Sequence, residues 1–362
     1  MRALDALLDE AVREQVAPLC AAVVLHRGQL AYQGGALDTV FDLASVTKVL
    51  ATTGVALALA QEGKLRFDEP LATWLPAARV SCTLNDLFFH RSGLPAFKPF
   101  FAAVMTKRPV LREERCPEIE RAAAREEMLA EVLMTSPDAP PGRAAVYSDL
   151  GFILLGAVLE KAGKAPLDAL LQRHVSGPLG LEATFRRLSR NPALPAQLAP
   201  TGATRPREPA PGQEGMWSVA ELPTRPGEVD DDNAWAMDGV SGHAGVFATA
   251  RDVARFGQAV LEGRFAPPSP WAVDGSTPGS TRAFGFDTPG PDAASAGPRF
   301  GRAGPMGAIG HLGFTGTSLW LDLDRELVVA LLTNRVALGR ANVKIRAFRP
   351  RFHETVLDEL KP

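Results

Sequence analysis

The sequence predicts an α+β fold in which one sheet is assembled from both chain ends and a mainly helical domain is inserted between them. Strand patterns occur near the start, at 21–33, and near the end, at 308–333, while helical patterns dominate the chain between them. A sheet buries its faces against another layer, so helices are expected to flank it. We therefore expect a sheet domain from 1–65 with 240–362, an inserted domain at 66–239, and an active site between them.

The N-terminal elements follow from hydrophobic periodicity. Apolar residues at Leu4, Leu7, Leu8, Val12 and Val16 predict an amphipathic helix over 3–16. Two strand patterns flank a short Arg-Gly turn and predict a β-hairpin. An apolar run at 49–60 predicts a buried helix, and its length is below the roughly 20 residues that a membrane span needs.

The rest of the chain alternates periodic and aperiodic segments. Helices are predicted over 110–135, 151–162, 250–261 and 346–360, and strands over 308–311, 317–323 and 327–333. Gly- and Pro-rich stretches at 197–232 and 267–302 predict long loops. We expect the loops at 95–125, 200–235 and 265–302 to set the size of the pocket.

Composition narrows the class of protein. The 362 residues carry a net charge of −2, which gives no electrostatic case for binding nucleic acid or an acidic membrane. The three cysteines (Cys20, Cys82 and Cys116) form neither a disulfide framework nor a zinc pattern, and buried free thiols are expected. The N-terminus lacks the apolar core of a signal peptide, so the sequence favours a cytoplasmic location, or a periplasmic one if a leader was removed.

The chemistry centres on Ser45-x-x-Lys48 at the start of the apolar run. In a helix these two side chains share one face, so the lysine could take the serine proton. Partial burial or nearby positive charge would lower the lysine pKa and favour this role. A helix cap followed by a surface lysine is the structural alternative for the isolated motif.

Two downstream segments supply partners for Ser45. Tyr147-Ser148-Asp149 follows a Pro-Pro-Gly turn, and a tyrosine near a lysine could have a lowered pKa and move protons. His311-Leu312-Gly313 precedes Phe314 on a glycine-rich strand edge that could approach a substrate closely.

These motifs, in this order, resemble those of the serine β-lactamase and penicillin-binding-protein superfamily. The similarity is strongest to the branch with class C β-lactamases, D-aminopeptidases, D-alanyl-D-alanine carboxypeptidases and related esterases. It implies a β-lactamase/transpeptidase-like fold with an antiparallel sheet. It also implies acyl transfer, with Ser45 as nucleophile, Lys48 and Tyr147 handling protons, and the N–H groups of Ser45 and Phe314 binding the oxyanion. Asp149, His311, Gly313 and Phe314 would contact the substrate.

Two positions depart from the family pattern. Asp149 stands where Asn is more frequent, and an ionised Asp cannot donate a hydrogen bond to a substrate carbonyl. It could instead hold Lys48 by charge or favour a cationic substrate group. His311 replaces a lysine and would be only partly charged near neutral pH, so penicillin hydrolysis is not the first expectation.

The favoured function is a serine hydrolase of esters or D-amino-acid-type amides. A β-lactamase or D-alanyl-D-alanine carboxypeptidase is one alternative, and a catalytically silent binding protein on the same fold is the other. The segment 227–245 also resembles a subgroup of cell-wall-related serine hydrolases. We expect a small-molecule or peptidoglycan-like substrate, and neither a metal nor another cofactor. His90 and His243 are expected to be structural, while the substrate and the oligomeric state stay open.

Overall fold

The computed structural model describes residues 2–113, 115–207, 215–267, 271–289 and 295–360. Parts of all three loops that were expected to shape the pocket lie outside the described residues. These parts are Glu114, 208–214, 268–270 and 290–294.

Twelve strands occur in the described part of the chain. They are β1 (Cys20–His26), β2 (Gln29–Gly35), β3 (Phe41–Asp42), β4 (Thr184–Phe185), β5 (Thr204–Arg205), β6 (Leu222–Pro223), β7 (Val246–Ala248), β8 (Arg282–Ala283), β9 (Phe286–Asp287), β10 (Ala308–Leu312), β11 (Ser318–Asp322) and β12 (Leu327–Thr333). The two-residue strands escaped the sequence analysis because so short a segment has no measurable periodicity.

The described α-helices also number twelve. They are α1 (Arg2–Arg13), α2 (Gly54–Gln61), α3 (Leu71–Trp74), α4 (Leu84–Phe88), α5 (Phe100–Lys107), α6 (Glu118–Leu133), α7 (Asp149–Gly163), α8 (Leu167–Leu171), α9 (Gly177–Leu179), α10 (Asp232–Ala236), α11 (Ala250–Leu261) and α12 (Ile345–Glu359). A π-helical segment, Lys48–Thr53, leads into α2. None of the described helices is long and apolar enough to cross a membrane.

The main sheet joins the two chain ends as predicted. Its seven strands run in the order β2-β1-β12-β11-β10-β9-β8, and every neighbouring pair is antiparallel. Cys20 of β1 lies opposite Thr333 of β12, which fixes the register between the N-terminal hairpin and the C-terminal strands.

Both faces of this sheet are buried. Successive side chains along a strand point to opposite faces, so chain neighbours enter different apolar clusters. Val23, Leu319 and Val328 belong to one apolar cluster, and their chain neighbours Val24, Trp320 and Val329 belong to a second. Helix α11 packs on the first face, while α1 and α12 contribute to the second cluster. This antiparallel sheet with helices on both faces confirms the predicted α+β class.

A second, three-stranded sheet in the order β3-β7-β4 supports the chain just before Ser45. Phe41 pairs with Ala248 and Asp42 with Phe247. Strand β4 comes from the predicted inserted domain, and the larger apolar cluster runs through both predicted domains. The division at 65/66 and 239/240 stays a prediction.

Candidate active site

Ser45 lies in a tight turn between strand β3 and the helical segment that begins at Val46. The residue before it, Ala44, has φ of +45°, a left-handed conformation that is uncommon for a residue with a Cβ atom. This turn presents the serine hydroxyl at the start of the buried helical run, where the sequence predicted it.

Lys48 is fully buried, and its ammonium group has three hydrogen-bond acceptors. Its Nζ donates to Ser45 Oγ at 3.0 Å, Asp149 Oδ1 at 2.7 Å and the His243 carbonyl at 3.0 Å. An ammonium group has three donors, so this arrangement satisfies its full hydrogen-bonding capacity. The lysine is therefore positioned as a charged group in the resting protein.

The electrostatics of Lys48 differ from the sequence prediction. Burial is the largest single cause and lowers its pKa, but the interactions with Asp149, together with those with Tyr147, outweigh this effect, and the net shift is upward. The prediction of a lowered lysine pKa was therefore wrong, because it could not include a carboxylate 101 positions away in the chain. The alternative in which Asp149 holds Lys48 by charge matches the observed contact.

Tyr147 lies beside the same lysine, whose Nζ is 4.9 Å from the centre of the tyrosine ring. Burial raises the pKa of Tyr147, and the opposing effects of Lys48 and of hydrogen bonds to Lys48 and Ser45 are smaller. The expectation of a lowered tyrosine pKa was also wrong. The resting hydroxyl is neutral and can donate a proton.

Two structural contacts hold the Tyr147 segment. Ser148 caps helix α7 by accepting from Gly151 N, and its own N–H donates to His90 Nδ1 at 3.0 Å. Burial holds the pKa of His90 well below its usual value, so the ring is neutral and can accept this bond. The predicted structural role of His90 is confirmed by this hydrogen bond.

His311 is buried at the end of strand β10, with its ring centre 5.7 Å from that of Tyr147. Nδ1 donates to the Leu312 carbonyl at 2.8 Å, while Nε2 has no hydrogen-bond partner in the described part of the chain. Burial, with the charge of Lys48 as a second cause, lowers the pKa of His311 to about 3. The expected partial charge was wrong, and the neutral Nε2 offers a lone pair to the cleft.

Gly313 allows the third motif, His311-Leu312-Gly313, to approach Leu43, which lies two residues before Ser45. A Cβ atom at this position would lie 2.0 Å from Thr317 Oγ1 and 2.5 Å from the Leu43 carbonyl oxygen. The neighbouring N–H of Phe314 and that of Ser45 donate to no other group among the described residues. Both amides are therefore free to donate to a substrate oxygen.

The cleft has two lobes of opposite character that both include Ser45 and Tyr147. The first lobe, a cavity of about 190 Å³, has acidic and aromatic walls. Its lining residues include Asp149, Asp230, Asp231, Asp232, Phe97, Phe101 and Trp217, together with Arg207 and Arg340. We call this the acidic lobe.

The second lobe is larger, about 740 Å³, and its lining among the described residues includes four arginines but one aspartate. Arg282 pairs with that aspartate, Asp287, at 2.9 Å. Arg349 is 3% exposed, and its guanidinium makes no ion pair or hydrogen bond within the described residues. We call this the arginine lobe; Arg335 and Arg346 are its other two arginines.

Several of these residues were missed by the sequence analysis. Arg346 and Arg349 lie three residues apart and so share a face of α12, a spacing that was visible but not specific. Asp231 was treated as part of a loop, but its Oδ1 contacts His243 Nε2 at 2.8 Å. His243 Nδ1 contacts Ser241 at 2.8 Å, which fits the predicted structural role of this histidine. No group of three potential metal ligands occurs among the described residues.

The profile of the beta-lactamase family matches residues 4–349. The chain belongs to the beta-lactamase family. Among curated relatives, the N-acetylmuramyl-L-alanine amidase of Bacillus subtilis is 31% identical over 326 residues, which cover 82% of this chain and 68% of the relative. A Salmonella agona protein provisionally named D-alanyl-D-alanine carboxypeptidase is 27% identical over 330 residues, which cover 85% of this chain and 72% of the relative.

Solved structures of this beta-lactamase family have the same fold at lower identity. EstCE1, a hydrolase with promiscuous acyltransferase activity, has a TM-score of 0.67 at 20% identity and covers 96% of this chain and 98% of its own. A penicillin-binding protein homologue from Pyrococcus abyssi has a TM-score of 0.67 at 16% identity, covering 98% and 77%. This family member is a serine hydrolase that acts on esters or amides through an acyl-enzyme.

Proposed function

We propose that this hydrolase cleaves short zwitterionic peptides, with Ser45 as the nucleophile. The observation that carries the proposal is the meeting of two oppositely charged lobes at Ser45. A peptide with a free ammonium group and a free carboxylate matches both lobes at once. A neutral ester leaves both lobes without a partner.

The acidic lobe fits the ammonium end. Asp149 and Asp231 are partly exposed, at 19% and 26%, and each uses Oδ1 for internal contacts. The charge of His243 and the hydrogen bonds of Asp231 overcome the effect of burial and hold the pKa of Asp231 well below its usual value. Aromatic walls formed by Phe101 and Trp217 add cation–π attraction for an ammonium group.

The arginine lobe fits the carboxylate end. The buried Arg349 guanidinium has no anionic partner in the described part of the chain, and an unpaired buried charge is costly, so a carboxylate bound there would be held strongly. Arg335 is also buried, and within the described residues its guanidinium donates to the carbonyl oxygens of Arg340 and Asn342 rather than to a carboxylate. Neutral His311 adds an acceptor for a substrate N–H group.

Acyl transfer would start from the small fraction of protein in which Lys48 has lost its proton. As Ser45 Oγ attacks the carbonyl carbon, its proton moves to Lys48 Nζ, 3.0 Å away. The Ser45 and Phe314 amides stabilise the oxyanion, an effect in which one donor is typically worth about 10²–10³ in rate. Tyr147 protonates the leaving nitrogen and recovers a proton from Lys48. Water then attacks the acyl carbonyl and releases the acid.

The names of relatives support a D-amino-acid residue in the substrate. They include the carboxypeptidase noted above and a D-stereospecific amidohydrolase from Streptomyces, whose structure covers 91% of this chain at a TM-score of 0.60 and 19% identity. A D-alanyl-D-alanine carboxypeptidase or β-lactamase is the second candidate, because its substrates also present a carboxylate to the arginine lobe. A cytoplasmic location remains part of the proposal and is testable by cell fractionation.

A substrate panel tests the proposal. Hydrolysis of a D-Ala-D-Ala peptide would be compared with its N-acetylated form, its C-terminal amide, its L,L isomer and p-nitrophenyl acetate, each beside Ser45→Ala. Each lost charge-assisted contact is expected to lower kcat/KM about 10–100-fold. Equal rates for free and blocked peptides would reject the zwitterionic substrate. Activity retained by Ser45→Ala would reject the nucleophile.

A further inference from the structure

Asp42, at the end of strand β3, joins three segments of the active site. Its Oδ1 accepts from the Ala44 N–H at 2.8 Å, and its Oδ2 accepts from the Asp230 N–H at 2.5 Å. Its main-chain carbonyl accepts from Thr315 Oγ1 at 2.8 Å. The nucleophile turn, the acidic lobe and the third motif are therefore tied to one residue that is 2% exposed.

The contact to Ala44 is the one that bears on catalysis. Ala44 has φ of +45°, a conformation that costs a non-glycine residue about 1 kcal/mol or more and needs support from its surroundings. The Asp42 side chain supplies that support by accepting from the N–H two residues on, as in an Asx turn. The next residue is Ser45, whose hydroxyl and N–H both face the reacting carbonyl in the proposed function.

Ionisation of Asp42 controls whether both contacts form. Each carboxylate oxygen faces an N–H donor, so an ionised carboxylate satisfies both donors. A protonated carboxyl group has an O–H on one oxygen, and that oxygen then opposes the N–H in front of it. Protonation thus weakens either the Ser45 turn or the link to the acidic lobe.

Burial and the neighbouring charges place the pKa of Asp42 near neutrality. Burial is the largest cause and the charge of Asp230 the second, and together they raise the pKa of Asp42 to about 7. The two amide contacts and the charge of Arg207 oppose this increase. Asp42 therefore becomes ionised as the pH rises through about 7.

We propose that Asp42 is a positioning residue for acyl transfer, whose carboxylate holds Ser45 and its N–H in the reactive arrangement. The inference rests on the proposed role of Ser45 as the nucleophile. Asp42 does not touch the substrate and acts through Ala44. The rate of acyl transfer therefore falls more steeply with decreasing pH below about 7 than above it.

The test measures the second-order rate at which a fluorophosphonate modifies Ser45, by intact-protein mass between pH 5.5 and 9. In the unsubstituted protein we expect this rate to rise about 100-fold per pH unit below the ionisation of Asp42, where both Asp42 and Lys48 must lose a proton, and about 10-fold per pH unit above it, where only Lys48 must. Asp42→Asn should keep the 10-fold rise without the steeper part and react at least about 10-fold more slowly at pH 8, since its amide NH₂ opposes one of the two N–H donors. Thermal melting would establish that the variant is folded.

A matched control uses Asp324, whose two carboxylate oxygens also accept from backbone amides, Met306 N at 3.2 Å and Gly307 N at 2.8 Å. It lies in the β11–β12 turn, at the opposite end of β11 from Gly313. Asp324→Asn should keep the original pH profile. Ala44→Gly, which accepts positive φ without strain, should restore several-fold activity to Asp42→Asn.

Three results would overturn the inference. They are an unsubstituted protein whose labelling rate shows no change of slope between pH 6 and 8, an Asp42→Asn variant that keeps the original profile, and no rescue by Ala44→Gly. The first result stands even if Asp42→Asn fails to fold. Labelling that does not depend on Ser45, shown with Ser45→Ala, would instead refute the proposed function, so the two failures are distinguishable.

Discussion

Replacing Asp149 by Asn tests the electrostatic account of the site. The substitution keeps the side-chain shape but removes the negative charge 2.7 Å from Lys48 Nζ. Lys48 is fully buried, so its ammonium group would lose its charged partner without gaining contact with water. We expect the variant to be less stable and Lys48 to lose its proton more easily.

The expected loss of unfolding free energy follows from two limiting cases, in which Lys48 either keeps or loses its charge. Leaving a buried charge unpaired costs about 3–5 kcal/mol. Lys48 could instead become neutral, which at pH 7 costs about 4.6 kcal/mol relative to an ordinary lysine pKa of about 10.4. Ser45 Oγ and the His243 carbonyl remain as acceptors, so we expect the lower end, a loss of about 3 kcal/mol in unfolding free energy.

Urea unfolding at pH 7 of Asp149→Asn, Lys48→Met and the double variant measures this coupling. The double variant carries no unpaired charge, so it should be about 2 kcal/mol more stable than Asp149→Asn. The folded-state pKa of Lys48 is raised, so the ion pair contributes its full stability below the unfolded pKa of about 10.4. The difference in unfolding free energy between the original protein and Asp149→Asn should become smaller only above that pH.

The same variant gives a kinetic result. Without the carboxylate, burial lowers the pKa of Lys48. The pH above which the fluorophosphonate labelling rate stops rising should therefore move to a lower value. The reasoning would be refuted by three results together. Asp149→Asn would lose less than about 1 kcal/mol of unfolding free energy, the double variant would be no more stable than Asp149→Asn, and the labelling rate would level off at the same pH as in the original protein.

Three further predictions concern the third motif and the arginine lobe. Gly313→Ala should lower stability by about 1–3 kcal/mol and reduce labelling, because the added Cβ overlaps two oxygen atoms; Gly275→Ala, where no atom lies within 4 Å, should be neutral in urea unfolding. Arg349→Met should raise KM for the free peptide about 10-fold or more without lowering the melting temperature, whereas Arg351→Met, on the exposed face of the same helix, should leave KM unchanged. The ring of His311 should stay neutral at pH 5 in nitrogen-15 NMR spectra, because its pKa is lowered to about 3; a protonated ring there would contradict the account of its burial.

The positions of the site residues were readable from the sequence because each motif is local. Ser45 and Lys48 are three residues apart, and Tyr147 immediately precedes the N-cap of helix α7. The sheet was readable as well, since its strands β1 and β12 are short apolar runs near the two chain ends. The short strands β3 and β7, of two and three residues, fix the turn before Ser45 and have no such signal.

The sequence by itself determined the family and the fold, and it predicted which side chains react. Only the tertiary structure decided their protonation, because a pKa depends on burial and on charges brought together from distant parts of the chain. It paired Lys48 with Asp149, buried His311 as a neutral ring and gave Arg349 no anionic partner among the residues that the structure describes. It also placed the carboxylate of Asp42 against the amides of Ala44 and Asp230, two contacts that no spacing in the sequence reveals.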